Sequence, residues 1–353
     1  MSGSKRVEFG GEHAETPRQT MSSTETPAPG GAMLDYSLLA DDRLRLVLEP
    51  ELLPLIENWL PRIPLEPATG AAIEESGALI RIGCSGADAA DRLPPTPAGE
   101  PTLRLGSATV WVDPVAERVE LRGTDPRVRG QVDLARRHAL LSPPNPDADV
   151  IVAANLYSMM TVVAALLLGR IGRTPIHAGA VVAPGGGALL LAGDARSGKS
   201  TTCINLITAG WDYLSDDQVV LSRAAGTGRV AAEGWPRTFH LDEGWERGVS
   251  TGVRRDFDPT RLGPGRWRRS APIDGILFPI VRAEQPTALA PIPASDALAR
   301  LIRQTPWLMV DPARGPALLA LLSAVASTPA YELSLGLDTY KDPERLSRCI
   351  ADR

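Results

Sequence analysis

Ala188-Leu189-Leu190-Leu191-Ala192-Gly193-Asp194-Ala195-Arg196-Ser197-Gly198-Lys199-Ser200-Thr201 is the stretch on which the fold of this chain turns. Five apolar residues predict a buried strand, and Gly193 to Ser200 then fits the spacing G-x-x-x-x-G-K-[ST] of a Walker A P-loop. The residues from Lys199 to Ala209 suit a helix that ends at Gly210, a left-handed C-terminal cap. Strand, loop and helix follow in the order that this motif needs. A loop of this kind wraps a phosphate with backbone N–H groups, and the helix N-terminus adds its partial positive charge. Gly193 and Gly198 allow the close approach. The expected nucleotide-binding residues are therefore Gly193, Asp194, Ala195, Arg196, Ser197, Gly198, Lys199, Ser200 and Thr201. Lys199 would bridge the β- and γ-phosphates of ATP, and the Ser200 hydroxyl would ligate Mg²⁺. A chance glycine-rich turn is the competing reading, and the flanking strand, helix and lysine weigh against it.

Working outward, Pro175-Ile176-His177-Ala178-Gly179-Ala180-Val181-Val182 predicts a second strand. It is joined to the first by a tight turn at Ala183-Pro184-Gly185-Gly186-Gly187. Downstream, Trp211-Asp212-Tyr213-Leu214-Ser215-Asp216-Asp217 predicts a strand ending in two carboxylates, where ligands collect in open α/β sheets. Successive strand residues point to opposite faces. Asp216 and Asp217 are thus expected to do different work, one toward an acceptor and one toward a metal. A solvated turn is the bland reading of the pair. A lone histidine such as His177 is more often structural than functional on spacing alone. Arg237, in Gly234-Trp235-Pro236-Arg237-Thr238, carries little signal by itself. Arg266, Arg268 and Arg269 read equally well as a solvated loop.

The rest of the 353-residue chain frames this region. Residues 1–33 are rich in Gly, Ser, Thr, Pro and Glu and are expected to be a disordered tail. Alternation in Thr102-Leu103-Arg104-Leu105, Thr109-Val110-Trp111-Val112 and Arg118-Val119-Glu120-Leu121-Arg122 predicts antiparallel strands in an N-terminal domain, 34–147. Clustered prolines at 142–147 mark a linker, and 148–353 is the expected second domain. Ile151 to Leu168 is nearly all apolar and close to the length a bilayer requires. Asn155, Tyr157, Ser158 and Thr161 interrupt it, so a buried helix packed on the nucleotide-binding sheet is expected and no membrane partner. Helical stretches are also expected at 297–303 and 317–326.

Hydrophobic residues make up 43% and charged residues 22%, enough apolar content for a substantial core. A net charge of -5 argues against a nucleic-acid partner, because no basic excess exists to displace counterions. Lysine occurs only at positions 5, 199 and 341, so Lys199 stands out where a compact ammonium is wanted. Cys84, Cys203 and Cys349 show no CxxC spacing, which excludes a cysteine zinc site and points to a reducing cytoplasm.

His177-Ala178-Gly179-Ala180, the glycine hairpin, the P-loop and Leu214-Ser215-Asp216-Asp217 resemble the catalytic domain of HPr kinase/phosphatases in order and approximate spacing. The resemblance covers about residues 170–225. It implies an α/β phosphoenolpyruvate-carboxykinase-like P-loop fold, beside a smaller, mostly antiparallel N-terminal domain. By the same resemblance His177 and Asp216 flank the transferred phosphoryl group. Asp216 is then the base, with Lys199 beside it, Asp217 near the metal with Ser200, and Arg237 a phosphate or substrate contact. Ala195-Arg196 and Thr201 depart from the family's loop, which has Ser-Gly and Glu there. The sequence is similar to divergent HPr-kinase-like proteins found with peptide-modifying systems.

The expected function is an ATP- and Mg²⁺-dependent serine kinase acting on a peptide or small protein, with homo-oligomerisation left open. A small-molecule kinase and a nucleotide-dependent regulatory protein without phosphoryl transfer are the alternatives.

Overall fold

Alternating apolar residues between 34 and 142 build the first of two nine-stranded sheets. Its strands are β1 (Leu34–Leu38), β2 (Asp41–Leu48), β3 (Leu65–Pro67), β4 (Ala78–Ile82), β5 (Leu103–Leu105), β6 (Ala108–Asp113), β7 (Arg118–Gly123), β8 (Arg129–Asp133) and β9 (His138–Ser142). They lie in the order β3-β1-β2-β4-β9-β8-β7-β6-β5. The β5 to β9 meander is antiparallel, as its period-2 patterning predicts, whereas β4 runs parallel to both β2 and β9. The computed structural model describes residues 33–38, 41–56, 65–68, 77–83, 99–144, 150–224, 228–235, 239–244, 251–259 and 267–351. The expected tail lies outside these residues, as do Arg237 and Arg266. Met33–Arg353 is a single unit by its internal contacts.

The apolar stretch after the linker is one helix, α1 (Val150–Arg170). By length and composition it could cross a membrane, yet in the folded chain most of it is buried. Its placement meets the expectation from sequence only in part. Leu156, Met159, Met160, Val163 and Leu167 share one core with Leu44, Ile80, Val110 and Leu121 of the first sheet, not chiefly with the nucleotide-binding sheet. The physical reason is the breadth of its apolar surface. A helix with apolar residues nearly all round must be covered on several sides, and the first sheet supplies much of that cover. The same core also takes in Val220, Trp235, Trp307 and Val310 from the second half of the chain. Arg170, at the helix end, bonds Glu117 at 2.8 Å and both oxygens of Asp311 at 2.8 and 2.9 Å.

The second sheet contains β10 (Arg173–Ile176), β11 (Ala178–Val182), β12 (Ala188–Ala192), β13 (Asp212–Ser215), β14 (Val219–Arg223), β15 (Val230–Gly234) and β18 (Ser270–Val281). Their order is β10-β14-β15-β18-β12-β11-β13, with β19 (Ala288–Pro291) and β20 (Ala330–Leu335) added beside β18. A separate antiparallel pair is made by β16 (Phe239–Asp242) and β17 (Arg254–Phe257). The β11–β12 hairpin forms as predicted, with Gly186 left-handed at φ 92° in its turn.

Both hairpin strands are buried along their whole length, so their apolar runs are continuous rather than alternating. Ala178, Ala180, Leu190 and Ala192 face a core shared with α3 (Ala294–Arg303) and α4 (Gly315–Ala326). Val181, Leu189 and Leu191 face the opposite core, with Cys203, Ile204 and Leu206 of α2 (Lys199–Thr208). The result is helices on both faces of a mixed sheet. Helix α2 ends in a Schellman turn, Gly210 N–H to Ile207 O and Trp211 N–H to Leu206 O, both at 3.0 Å. Gly210 is left-handed there, at φ 94°.

Candidate nucleotide site

The loop between β12 and α2 leaves the sheet where two parallel neighbours diverge. β12 and β18 pair only as far as Leu191 and Leu277. Beyond them the chain from Gly193 to Gly198 curls back into the helix. Gly193 (φ 155°), Arg196 (φ 65°) and Gly198 (φ 105°) take the positive φ values that make the curl. At Gly198 a Cβ would lie 2.5 Å from Leu335 Cδ1, so a side chain here would have to displace Leu335 as well as adopt the positive φ. Arg196 is an exposed cation, and Asp194 and Ala195 lie beside it.

Lys199 is 5% exposed, and its Nζ donates to the carbonyl oxygens of Gly193 at 2.8 Å and Asp194 at 3.0 Å. Burial pushes its ammonium below the ordinary lysine value, and the carboxylates of Asp217 and Asp216 push it back up. Ser200 Oγ donates to Asp216 Oδ1 at 2.9 Å. Thr201 lies one residue further into α2. Ser197 Oγ is buried without a hydrogen-bond partner among the described residues, an unusual state for a polar atom that a bound anion would relieve.

The carboxylate pair sits where β13 ends. β13 and β12 both run antiparallel to β11, so their C-terminal ends point the same way. Ser215, fully buried, locks the turn, because its hydroxyl has one proton to share between the Gln218 and Trp235 carbonyls and accepts from Trp235 N–H at 3.1 Å. Asp217 then takes φ 68°, a strained value for a non-glycine residue. That kink sends the two carboxylates to different surroundings. Asp216 is 3% exposed and faces Ser200, while the Asp217 side chain is 45% exposed and faces His177.

His177 Nδ1 is 3.0 Å from the Asp217 carbonyl and 3.1 Å from Asp217 Oδ1. Both partners are acceptors, so Nδ1 carries the proton. The structure thus brings together Lys199, Ser200, Asp216, Asp217 and His177 around one helix N-terminus. It joins Ser200 to Asp216 rather than to Asp217, the residue grouped with it for the metal.

A scan against known protein families finds no matching model, and no curated protein matches. Among solved structures, the Hpr(Ser) kinase/phosphatase from Coxiella burnetii is similar at a TM-score of 0.31 and 12% identity, over 51% of this chain and 89% of that one. A likeness that distant assigns no activity to this chain.

Three residues of the site have no signature in the sequence. Gln304, just past the end of α3, donates through Nε2 to Asp194 Oδ1 at 3.1 Å and accepts His177 N–H on its carbonyl at 3.0 Å. It therefore ties the P-loop to the histidine segment from 110 residues away. Arg300 and Arg303, one helical turn and one residue before it, line a cleft of about 530 Å³ with Gly193–Ser197 and the strand end Phe278–Val281. Arg300 is committed to Glu332 at 2.9 Å and covers the Phe278 ring at 5.2 Å. Arg303 has no ion-pair partner among the described residues.

Among the described residues no group of three or more His, Cys, Asp or Glu side chains could hold a metal. Mg²⁺ fits this donor set nonetheless, because it is commonly held by one or two carboxylates and substrate phosphates. Cys203 packs against Gly179, where a Cβ would lie 2.8 Å from its sulfur. Burial raises its thiol well above the ordinary value, so it is a packing residue rather than a nucleophile.

Proposed function

We propose that this protein is an ATP- and Mg²⁺-dependent kinase that phosphorylates a hydroxyl group on a peptide or small protein in the cytoplasm. The observation that carries the proposal is the double pairing at one helix N-terminus, Ser200 with Asp216 and His177 with Asp217. A nucleotide-binding regulator needs the first pair, but an exposed carboxylate oriented by a histidine serves an acceptor.

In this reading the backbone N–H groups of Gly193–Lys199, the Ser197 hydroxyl and Lys199 hold the β- and γ-phosphates of ATP. Ser200 and Asp216 would hold Mg²⁺, which when bound neutralises charge on those phosphates. The roles of the two aspartates are therefore exchanged relative to the family pattern. Asp216 is too enclosed to receive a hydroxyl, while Asp217 lies open beside the histidine. Asp217 orients the acceptor hydroxyl and takes its proton, and His177 holds that carboxylate in place. The acceptor oxygen forms a bond to the γ-phosphorus as the bond to the β–γ bridging oxygen breaks, and ADP leaves. The choice of serine on a peptide rests on the motif resemblance alone.

Incubating the protein with γ-labelled ATP and a pool of serine-containing peptides tests the reading. Label should appear on peptide, and Asp217→Asn should lower its rate of appearance by ~10²–10⁴. Label appearing only on small metabolites would replace the peptide with a small-molecule acceptor. Nucleotide binding without any transfer would leave a regulatory protein.

A further inference from the structure

A second cavity, of about 320 Å³, lies between α1 and α4 and shares no lining residue with the cleft beside the P-loop. Its walls are the apolar side chains of Ala165, Leu166, Leu318 and Leu321, together with Trp307. The space exists because small residues stand where the two helices face it. At Gly169 an added Cβ would meet nothing within 4 Å. The volume is at the lower end of small-molecule sites and holds roughly ten waters. Apolar walls make it a poor home for that many waters.

Polar groups mark one end. Thr174, on β10, pairs with Leu221 of β14, so Arg223 two residues further on stands on the same face of the sheet. Thr174 is 9% exposed and its hydroxyl has no hydrogen-bond partner among the described residues. Arg314 has no ion-pair partner among the described residues, and among the same residues Arg223 bonds the Gly228 carbonyl at 3.3 Å. The other polar liners are already satisfied. Trp307 Nε1 donates to the Pro175 carbonyl at 2.8 Å, and both Asp311 oxygens are held by Arg170. What remains is a largely apolar chamber with two guanidinium groups and the Thr174 hydroxyl at its polar end.

We infer that this cavity binds a small amphipathic anion, an acid with an apolar body of about ten heavy atoms. Its head group is held by Arg314, Arg223 and the Thr174 hydroxyl, and its apolar body lies between α1 and α4. A neutral molecule of the same shape would leave the cations unanswered. A short acid would leave the chamber walls without their contacts.

Equilibrium dialysis of the full chain with labelled octanoate tests this, with 1-octanol and acetate as the head-group and body controls. Octanoate should bind saturably at one site, and each control at least about tenfold more weakly. Arg314→Ala should weaken octanoate roughly tenfold, the usual effect of removing one charge-assisted hydrogen bond. Gly169→Leu should fill the chamber and abolish binding. Leucine is a better helix former than glycine, so that variant keeps its fold, as its unfolding midpoint will show. Lys199→Ala should leave octanoate binding unchanged, which separates this site from the nucleotide site. Absence of saturable octanoate binding at low millimolar concentration overturns the inference. So does binding that survives Gly169→Leu, or 1-octanol binding as well as octanoate.

Discussion

Ser200 and Asp216 are joined side chain to side chain at 2.9 Å although 16 residues separate them in sequence. That bond places the enclosed member of the Asp216-Asp217 pair on the P-loop helix and leaves the open member to His177. The two neutralising substitutions should therefore behave differently. Asp216→Asn should raise the Mg²⁺ concentration needed for nucleotide binding, measured by calorimetry across a Mg²⁺ series. Asp217→Asn should keep nucleotide affinity within about twofold and lower transfer by ~10²–10⁴, the usual contribution of a positioned base. The reverse pattern would return the base to Asp216.

Lys199→Ala removes the buried ammonium that bonds the Gly193 and Asp194 carbonyls. A hydrogen bond to a charged group is worth about 1.5–3 kcal/mol, so ATP affinity should fall roughly 10- to 150-fold. Titration calorimetry reads this directly, and unchanged affinity in a folded variant removes Lys199 from the phosphate site.

The same lysine gives a dependence on pH. Its folded value lies below 10.5, with burial the main cause. Because the unfolded chain holds that proton more tightly, the burial penalty weighs fully below the depressed value and is relieved as pH rises through it. Bound phosphates raise the value again. Nucleotide binding should thus take up a proton above the depressed value, and affinity should decline as pH rises past that value. Calorimetry in alkaline buffers of different ionisation enthalpy will show the uptake as a buffer-dependent heat.

Gly198→Ala meets two obstacles, a left-handed φ of 105° and a Cβ 2.5 Å from Leu335 Cδ1. Left-handed strain on a non-glycine residue costs on the order of 1–3 kcal/mol before the clash is counted. The unfolding midpoint should drop by several degrees, and nucleotide affinity should fall with it. A variant that matches the wild type in both would show that the loop relaxes freely.

Much of this architecture is legible from local pattern. The P-loop, its hairpin and the capped helix are consecutive in sequence, so motif spacing and glycine positions are sufficient to read them. The meander of β5 to β9 follows from period-2 alternation. Other features depend on contacts between distant residues. The Ser200–Asp216 bond follows from the kink at Asp217, which residue type does not announce. Gln304 acts through one side-chain bond and one backbone carbonyl, and no spacing rule marks a glutamine for that. The partner of α1 escapes the sequence because a helix apolar on nearly every side gives no periodic stripe to show which neighbour it will choose.

That helix also limits how the chain can be divided. The proline-rich stretch at 142–147 invites a cut just before Val150, to obtain the nucleotide-binding half alone. Such a fragment would carry α1 without Leu44, Ile80, Val110 and Leu121, its partners in the first sheet. It would present the face of α1 that those residues cover to solvent and precipitate. Removing α1 as well would strip Trp307 and Val310 of their cover instead. A shortened version of this protein will need a redesigned surface along that seam, wherever the cut is made.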